Sequence, residues 1–91
     1  MITQEKDGQI IGRILGRIRQ EKKAQDPKWT LFYVAEQAKL EEKYVGRLLR
    51  GEKAEPQFVT IGKLADALEI NLDELWKQFL REKDHFHEED Y

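Results

Sequence analysis

Apolar residues recur at helical spacing in five stretches of this 91-residue chain, and no stretch shows the alternation of a β-strand. The first stretch is the clearest, because Ile10, Ile14 and Ile18 recur every four residues and would share one face of a helix. The pattern therefore predicts an all-α fold. The five predicted helices cover residues 9–23, 31–38, 41–50, 57–69 and 72–81.

The length and composition predict one small domain in the cytoplasm. A chain of 91 residues forms a single modest core. Its charged fraction of 37% and hydrophobic fraction of 40% are typical of a globule with a solvated surface. No apolar run approaches the roughly 20 residues that span a bilayer, and the first seven residues lack the apolar stretch of a signal peptide. We therefore expect no membrane partner.

The charge is distributed unevenly along the chain. Residues 1–63 carry a formal charge of +4 and residues 64–91 carry −6, which gives the net charge of −2. We divide the chain into a flexible N-terminus at 1–8, the helical domain at 9–81 and a flexible acidic tail at 82–91. Acidic tails often act as interaction segments, so this tail is a candidate surface for a protein partner.

The sequence shows no pattern typical of an enzyme. It contains no cysteine, which excludes disulfides and thiolate zinc sites, and no serine. Neither a nucleophile paired with a base nor a phosphate-binding glycine loop is found. His85 and His87 could contribute to a metal site, but a solvated tail is the simpler interpretation. We expect no catalytic activity, no metal and no cofactor.

Cap and turn residues mark several helix ends. Thr30 and Asn71 are suited to cap the N-termini of the second and fifth helices. Gly51 is suited to the left-handed position that follows a helix. Gly12 and Gly16 lie four residues apart in the first helix, where they either allow close approach of another helix or are simply tolerated.

Two short helices at 31–38 and 41–50 form the unit that points to function. They are joined by a tight turn, and their apolar residues would pack them against each other and the core. This arrangement is a helix-turn-helix. In such a unit the first residues of the second helix stay exposed and meet base edges in the major groove.

Five short blocks of sequence carry a family resemblance. They are LGRIRQEK at 15–22, VAEQA at 34–38, VGRLLRG at 45–51, IGKLADAL at 61–68 and INLDEL at 70–75. In this order and spacing they resemble the helix-turn-helix domain of the Cro and phage-repressor type, also called the xenobiotic-response-element type. The resemblance implies a five-helix, lambda-repressor-like domain that often dimerises and binds palindromic operators.

The chain departs from the family pattern at four places. Residues 23–27 form an insertion between the first two helices. Lys39 stands where the family usually has a turn glycine, and a lysine with positive φ there would be unusual and mildly strained. Leu31 replaces a polar residue that often meets the DNA backbone. Leu49 replaces a glutamate that pairs with the arginine matched by Arg19, which must therefore find another partner or point to water.

Candidate DNA-contacting residues lie on and beside the helix 41–50. Arg47 is suited to guanine, Lys43 to guanine or phosphate, and Tyr44 to a sugar or a thymine methyl group. Glu42 could accept from cytosine, or it could, with Glu41, only stabilise the helix N-terminus through the macrodipole. The residues suited to phosphate contacts are Lys28, Thr30, Arg50 and Lys53. An ordinary solvated face is the alternative for these cations; Lys43, Arg47 and Arg50 are called the cation row below.

Three aromatic residues have two interpretations each. Trp76 and Phe79 of the fifth helix are candidates for dimerisation, and the alternative is that they cover the first helix. Trp29 is expected to fill the core beside the insertion rather than to anchor a partner.

These patterns predict a sequence-specific DNA-binding transcriptional regulator that binds operator DNA as a repressor-like homodimer. The alternative is a protein-interaction module on the same fold, such as an antitoxin, an antagonist or an adaptor. The acidic net charge, Leu31 and the pair Glu41 and Glu42 favour that alternative.

Overall fold

The structure is a computed structural model that describes residues 5–87, with side chains described up to Asp84. Over this range the chain is all-helical, which confirms the predicted all-α class for these residues. None of the described helices combines the length and the apolar character that a membrane crossing needs. The helices are α1 (Asp7–Gln25), α2 (Leu31–Ala38), α3 (Glu42–Leu49), α4 (Phe58–Ala67) and α5 (Leu72–His87).

Side-chain caps begin α2 and α5 where the sequence predicts them. The hydroxyl oxygen of Thr30 accepts a hydrogen bond from the backbone N–H of Tyr33 at 3.1 Å. The carboxamide oxygen of Asn71 accepts from the backbone N–H of Glu74 at 2.7 Å. Each cap satisfies one of the N–H groups that a helix start leaves without an intrahelical partner. Both predicted caps are confirmed.

Left-handed residues lie on both sides of α3, and the one at Gly51 confirms the prediction. Lys39 ends α2 with φ 59° and ψ 45°. Gly51 follows α3 with φ 79°, and its N–H donates to the carbonyl oxygen of Leu48 at 3.0 Å. The N–H of Glu52 donates back to the carbonyl oxygen of Arg47, also at 3.0 Å. These two bonds form a Schellman motif, which fixes the chain direction after α3.

One core joins all five helices. Helix α1 packs against α3 and α5, α2 packs against α3 and α4, and α4 packs against α5. Trp29 is 6% exposed and belongs to this core, as predicted. The largest fully buried side chains are Ile14, Leu15, Val34, Val45, Leu48, Leu64 and Leu68.

Gly12 and Gly16 allow α1 to lie against the backbone of α3. A Cβ atom at Gly12 would clash with the carbonyl oxygen of Leu48, and one at Gly16 would clash with that of Leu49. Since backbone oxygens cannot rotate away as side-chain ends do, only glycine fits at these two positions. Close helix approach, rather than simple tolerance, is therefore the reason for glycine here.

Helix α5 corrects the predicted tail. The helix continues to His87, so a flexible segment from residue 82 is wrong for residues 82–87. Glu82 accepts a hydrogen bond from Arg17 of α1 at 2.5 Å, and Lys83 donates to Asp7 at 3.0 Å. These pairs attach the last turns of α5 to α1. Residues 88–91 of the predicted tail and the side chains of the two histidines lie outside the described residues.

The predicted N-terminal segment is also shorter than expected. Helix α1 begins at Asp7 rather than at residue 9, and Glu5 just before it forms an ion pair with Arg13. Residues 1–4 lie outside the described residues.

Candidate nucleic-acid interface

Helix α3 has one buried face and one polar face. Val45, Leu48 and Leu49 hold it in the core, and each is less than a tenth exposed. Lys43 and Arg47 lie on the opposite, solvent-exposed side, four residues apart. Arg50 is the C-cap residue of the helix and is exposed as well. The cation row is therefore accessible to a large ligand along the whole helix.

The start of α2 lies beside the middle of α3. A Cβ atom at Gly46 would lie 3.0 Å from Cδ2 of Leu31 and 3.3 Å from Nη1 of Arg50. Leu31 thus packs between the two helices, which gives an apolar residue at the start of α2 a structural role. The same contact brings Leu31 close to Arg50, the last member of the cation row.

Lys28 lies in front of this helix start, over two aromatic rings. Its Nζ atom is 5.5 Å from the ring centroid of Trp29 and 5.8 Å from that of Tyr33. It is also 3.9 Å from a carboxylate oxygen of Asp26, and its side chain is exposed. These weak contacts limit where the ammonium group points without burying it. Lys28 remains suited to a phosphate contact, as the sequence predicts.

Thr30 has a structural role that restricts its proposed DNA contact. Its hydroxyl oxygen already accepts the capping hydrogen bond from Tyr33. The hydroxyl hydrogen can still donate, since a hydroxyl has one donor and two acceptor positions. Thr30 could therefore donate to a phosphate oxygen while it caps α2.

Tyr44 is less available for stacking than the sequence suggests. It is partly buried against the core, and the Nζ atom of Lys53 lies 5.3 Å from the centroid of its ring. A cation over an aromatic face is attracted to the ring's negative quadrupole. Lys53 therefore occupies one face of this ring and is itself placed near α3.

Glu42 lies in the first turn of α3 and is exposed. Glu41 is the N-cap residue of the helix, but its side chain makes no capping hydrogen bond. Negative charge at this end is favourable to the helix dipole. The position also leaves Glu42 free to face a base, so both interpretations of this residue fit the geometry.

A carboxylate that the sequence analysis did not select lies among the cations of α3. Glu52 accepts a hydrogen bond from Nε of Arg50 at 2.7 Å, and its other oxygen is 3.6 Å from Nε of Arg47. The hydrogen bond from Arg50, followed by the charges of Arg50 and Arg47, lowers the pKa of Glu52 below its usual value. The sequence contains a signal for this position of Glu52, because the residue that follows a left-handed glycine is brought back to the last turn of the preceding helix.

Arg19 has the alternative partner that the missing glutamate requires. Its Nη1 atom donates to the backbone carbonyl oxygen of Trp29 at 3.0 Å. This bond joins α1 to the end of the insertion and so helps to position the start of α2.

The two aromatic residues predicted to form a dimer contact have different environments. Phe79 is 4% exposed and belongs to the core, which favours the alternative interpretation of this residue as part of the helix packing. Trp76 stacks on Phe79 with 5.3 Å between ring centroids, yet it remains 54% exposed. The stacking places Phe79 beneath Trp76, and only Trp76 stays available to a partner.

Trp76 borders an apolar groove on the surface. The groove has a volume of about 560 Å³ and lies between the start of α1, the loop before α4, and α5. Phe58, the first residue of α4, lines this groove and is 76% exposed. Leu72 and Leu80 flank Trp76 at four-residue spacing on α5 and are also exposed. Leu72, Trp76 and Leu80 are called the α5 apolar face below.

Comparison of the chain with protein-family models, with curated proteins and with solved structures gives no match. The function is therefore inferred from the surface of α2 and α3 and from the α5 apolar face.

Proposed function

We propose that this protein is a sequence-specific DNA-binding transcriptional regulator of the repressor type. In this proposal α2 and α3 form the helix-turn-helix of a lambda-repressor-like domain, and α3 enters the major groove. The observation that carries the proposal is the position of α3, with three apolar residues in the core and Lys43 and Arg47 exposed on the opposite face. A major groove admits an α-helix with this kind of polar face.

The side chains divide into two groups by their positions. Lys43 and Arg47 project from within α3 and are suited to base edges, where arginine bonds to guanine through two nitrogens. Lys28, Arg50 and Lys53 lie at the ends of the unit and are suited to phosphates, which fix orientation without reading sequence.

The negative net charge does not oppose this proposal, because the excess of acidic residues lies in residues 64–91, which carry −6, whereas residues 1–63 carry +4. Glu82 of α5 pairs with Arg17 at 2.5 Å, and Asp7 pairs with Lys83 at 3.0 Å. Lys77 and Asp73 form a further pair on α5 at 3.1 Å. These pairs join α5 to α1 or lie within α5, and none of them includes a member of the cation row.

Chemical-shift mapping tests which surface meets DNA. We expect addition of an operator duplex to the ¹⁵N-labelled protein to shift backbone amide signals mainly in residues 28–31 and 42–53. The amide signals of residues 72–84 serve as the internal control and should shift much less. Shifts concentrated on α5, or absent from α3, would contradict the assignment of α3 to the groove.

The α5 apolar face supports the homodimer that operator binding would use. Its exposed side chains, with Phe58 in the same groove, offer on the order of 500 Å² of apolar surface per chain. Two copies would together bury roughly 1,000 Å², which is near the lower limit for a specific interface. A two-fold dimer through this face matches a palindromic operator, since protein and DNA then share one symmetry.

Replacement of Trp76 by glutamate is expected to separate the dimer. A charge in the centre of an apolar interface loses its hydration, so the dissociation constant should rise by at least about 30-fold, as for a typical hot-spot residue. Sedimentation equilibrium measures this change. Gln20→Glu, which adds the same charge to an exposed position of α1, is the control and should not alter the dimer. An unchanged dimer in W76E, or a monomeric wild type at high concentration, would contradict the proposed interface.

The groove beside Trp76 favours a second candidate function, the protein-interaction module. Its walls are mainly apolar, and aromatic side chains line it, as in many surfaces that bind a partner helix. An antitoxin, antagonist or adaptor would use this face for another protein. This function is favoured over DNA binding if the wild type selects no duplex sequence and W76E does not change its mass in solution.

A further inference from the structure

Glu52 is fixed beside the cation row by the backbone. Its N–H donates to the carbonyl oxygen of Arg47, and the preceding Gly51 has φ 79°. The Schellman motif therefore returns the chain to the last turn of α3, whatever rotamer the glutamate takes. Among the described residues, Glu52 is the carboxylate that forms ion pairs with Arg47 and Arg50.

The contacts use one particular atom of each arginine. Glu52 meets Nε of Arg50 at 2.7 Å and Nε of Arg47 at 3.6 Å. Among the described residues, no terminal nitrogen of either guanidinium group donates a hydrogen bond to Glu52. A guanidinium can therefore keep Glu52 on Nε while its terminal nitrogens face a ligand, because it carries five N–H donors in a planar fork.

We propose that Glu52 is a specificity-determining positioning residue, which restrains the binding of phosphate by Arg47 and Arg50 and leaves the guanine-reading nitrogens of Arg47 in place. This inference rests on the proposed DNA-binding function. It adds a role for a residue that itself contacts neither a base nor a phosphate. It explains why an acidic residue lies in a surface that should attract a polyanion.

The restraint follows from electrostatics. Binding to any duplex gains free energy when cations neutralise phosphates and release the counterions condensed on DNA. Arg47 and Arg50 already have a carboxylate partner, so a phosphate gains less from meeting them. Contacts with bases lose less binding free energy, because guanine binds the terminal nitrogens of arginine through directed hydrogen bonds. Glu52 thus lowers non-specific affinity more than operator affinity.

The pKa of Glu52 supports this role at physiological pH. The hydrogen bond from Arg50 lowers this pKa, so the carboxylate is ionised at every pH above its usual range. The restraint is therefore constant near neutral pH and is relieved only under strongly acidic conditions.

Glu52→Gln tests the inference, with Glu55→Gln as a matched control. Both changes remove one formal charge from the loop after α3, but Glu55 forms no ion pair among the described residues. On random-sequence duplex we expect E52Q to bind about 5–10-fold more tightly than wild type and to show a salt dependence steeper by about one in log–log slope. Its preference for operator over random duplex should fall by a similar factor. E55Q should change each of these quantities by less than about twofold.

The outcomes separate this inference from the proposed function. If the wild type prefers an operator but E52Q behaves as E55Q does, the role of Glu52 is overturned and the proposed function stands. If E52Q binds random duplex more tightly but the wild type shows no operator preference, the restraint is supported and operator reading is overturned. If neither protein binds duplex at low salt, both are overturned. Thermal unfolding of the two variants shows that each is folded during these measurements.

Discussion

Replacement of Gly12 by alanine is expected to destabilise the protein by about 2–3 kcal/mol, because the new methyl group would meet the carbonyl oxygen of Leu48. Alanine favours the helical state by about 1 kcal/mol over glycine. The expected net loss of stability is therefore the cost of the clash minus this gain in helix propensity. The opposing atom belongs to the backbone of α3, and relief requires α1 and α3 to move apart. Urea unfolding followed by circular dichroism measures the loss.

Gly62→Ala is the control for this prediction. Gly62 lies within α4, and a Cβ atom there would have no neighbour within 4 Å. The same chemical change should therefore stabilise the protein by roughly 0.5–1 kcal/mol through helix propensity alone. Equal stability of G12A and G62A would contradict the close approach of α1 to α3, which positions the cation row.

Replacement of Arg47 by alanine is expected to remove discrimination at one base pair of each operator half-site, a loss of about 1–3 kcal/mol. Arg47 is the exposed arginine within α3, and its ion pair with Glu52 is formed through Nε. The affinity for the operator that carries the preferred base at this position should fall, and the affinities for the three operators with other bases should change less. Competition binding with a set of single-base operator variants measures the effect.

Two other alanine variants distinguish base reading from simple loss of charge. Lys28→Ala should weaken binding to all variants about equally, because a phosphate contact carries no sequence information. Lys63→Ala removes an exposed lysine from α4 and should leave binding nearly unchanged. A uniform loss in R47A, like that in K28A, would show that Arg47 meets phosphate rather than a base.

The features predictable from sequence were those fixed by neighbouring residues. The caps at Thr30 and Asn71 and the left-handed Gly51 each depend on a few local hydrogen bonds. Because such bonds join residues three to five positions apart, residue type and spacing are enough to predict them. The positive φ of Lys39 has no such local signal, because a lysine rarely adopts this conformation.

The features that could not be predicted depend on residues far apart in the chain. Helix α5 extends beyond residue 81 with pairs such as Glu82 with Arg17, which are 65 positions apart. Helical periodicity placed Trp76 and Phe79 on one apolar side, but it did not show that the core covers Phe79 and leaves Trp76 exposed. Such outcomes depend on how the helices pack.

The candidate site was predictable in part. The exposed side of α3 followed from its apolar spacing, so Lys43 and Arg47 were placed on the surface from sequence alone. The ion-pair partners of these side chains do not follow from the sequence pattern. Glu52 is not among the predicted site residues, although the Schellman geometry after α3 indicates its position. Local backbone rules predict where a chain turns, whereas ion pairs depend on side chains that several elements bring together.

Selection of bound sequences from a randomised duplex pool by the wild-type protein, at low and moderate salt, tests the central claim most directly. Base reading by α3 in a two-fold dimer predicts recovery of a palindromic motif whose enrichment survives the added salt. Binding that selects no sequence and disappears as salt is added would show phosphate contacts only and would contradict the proposed regulator.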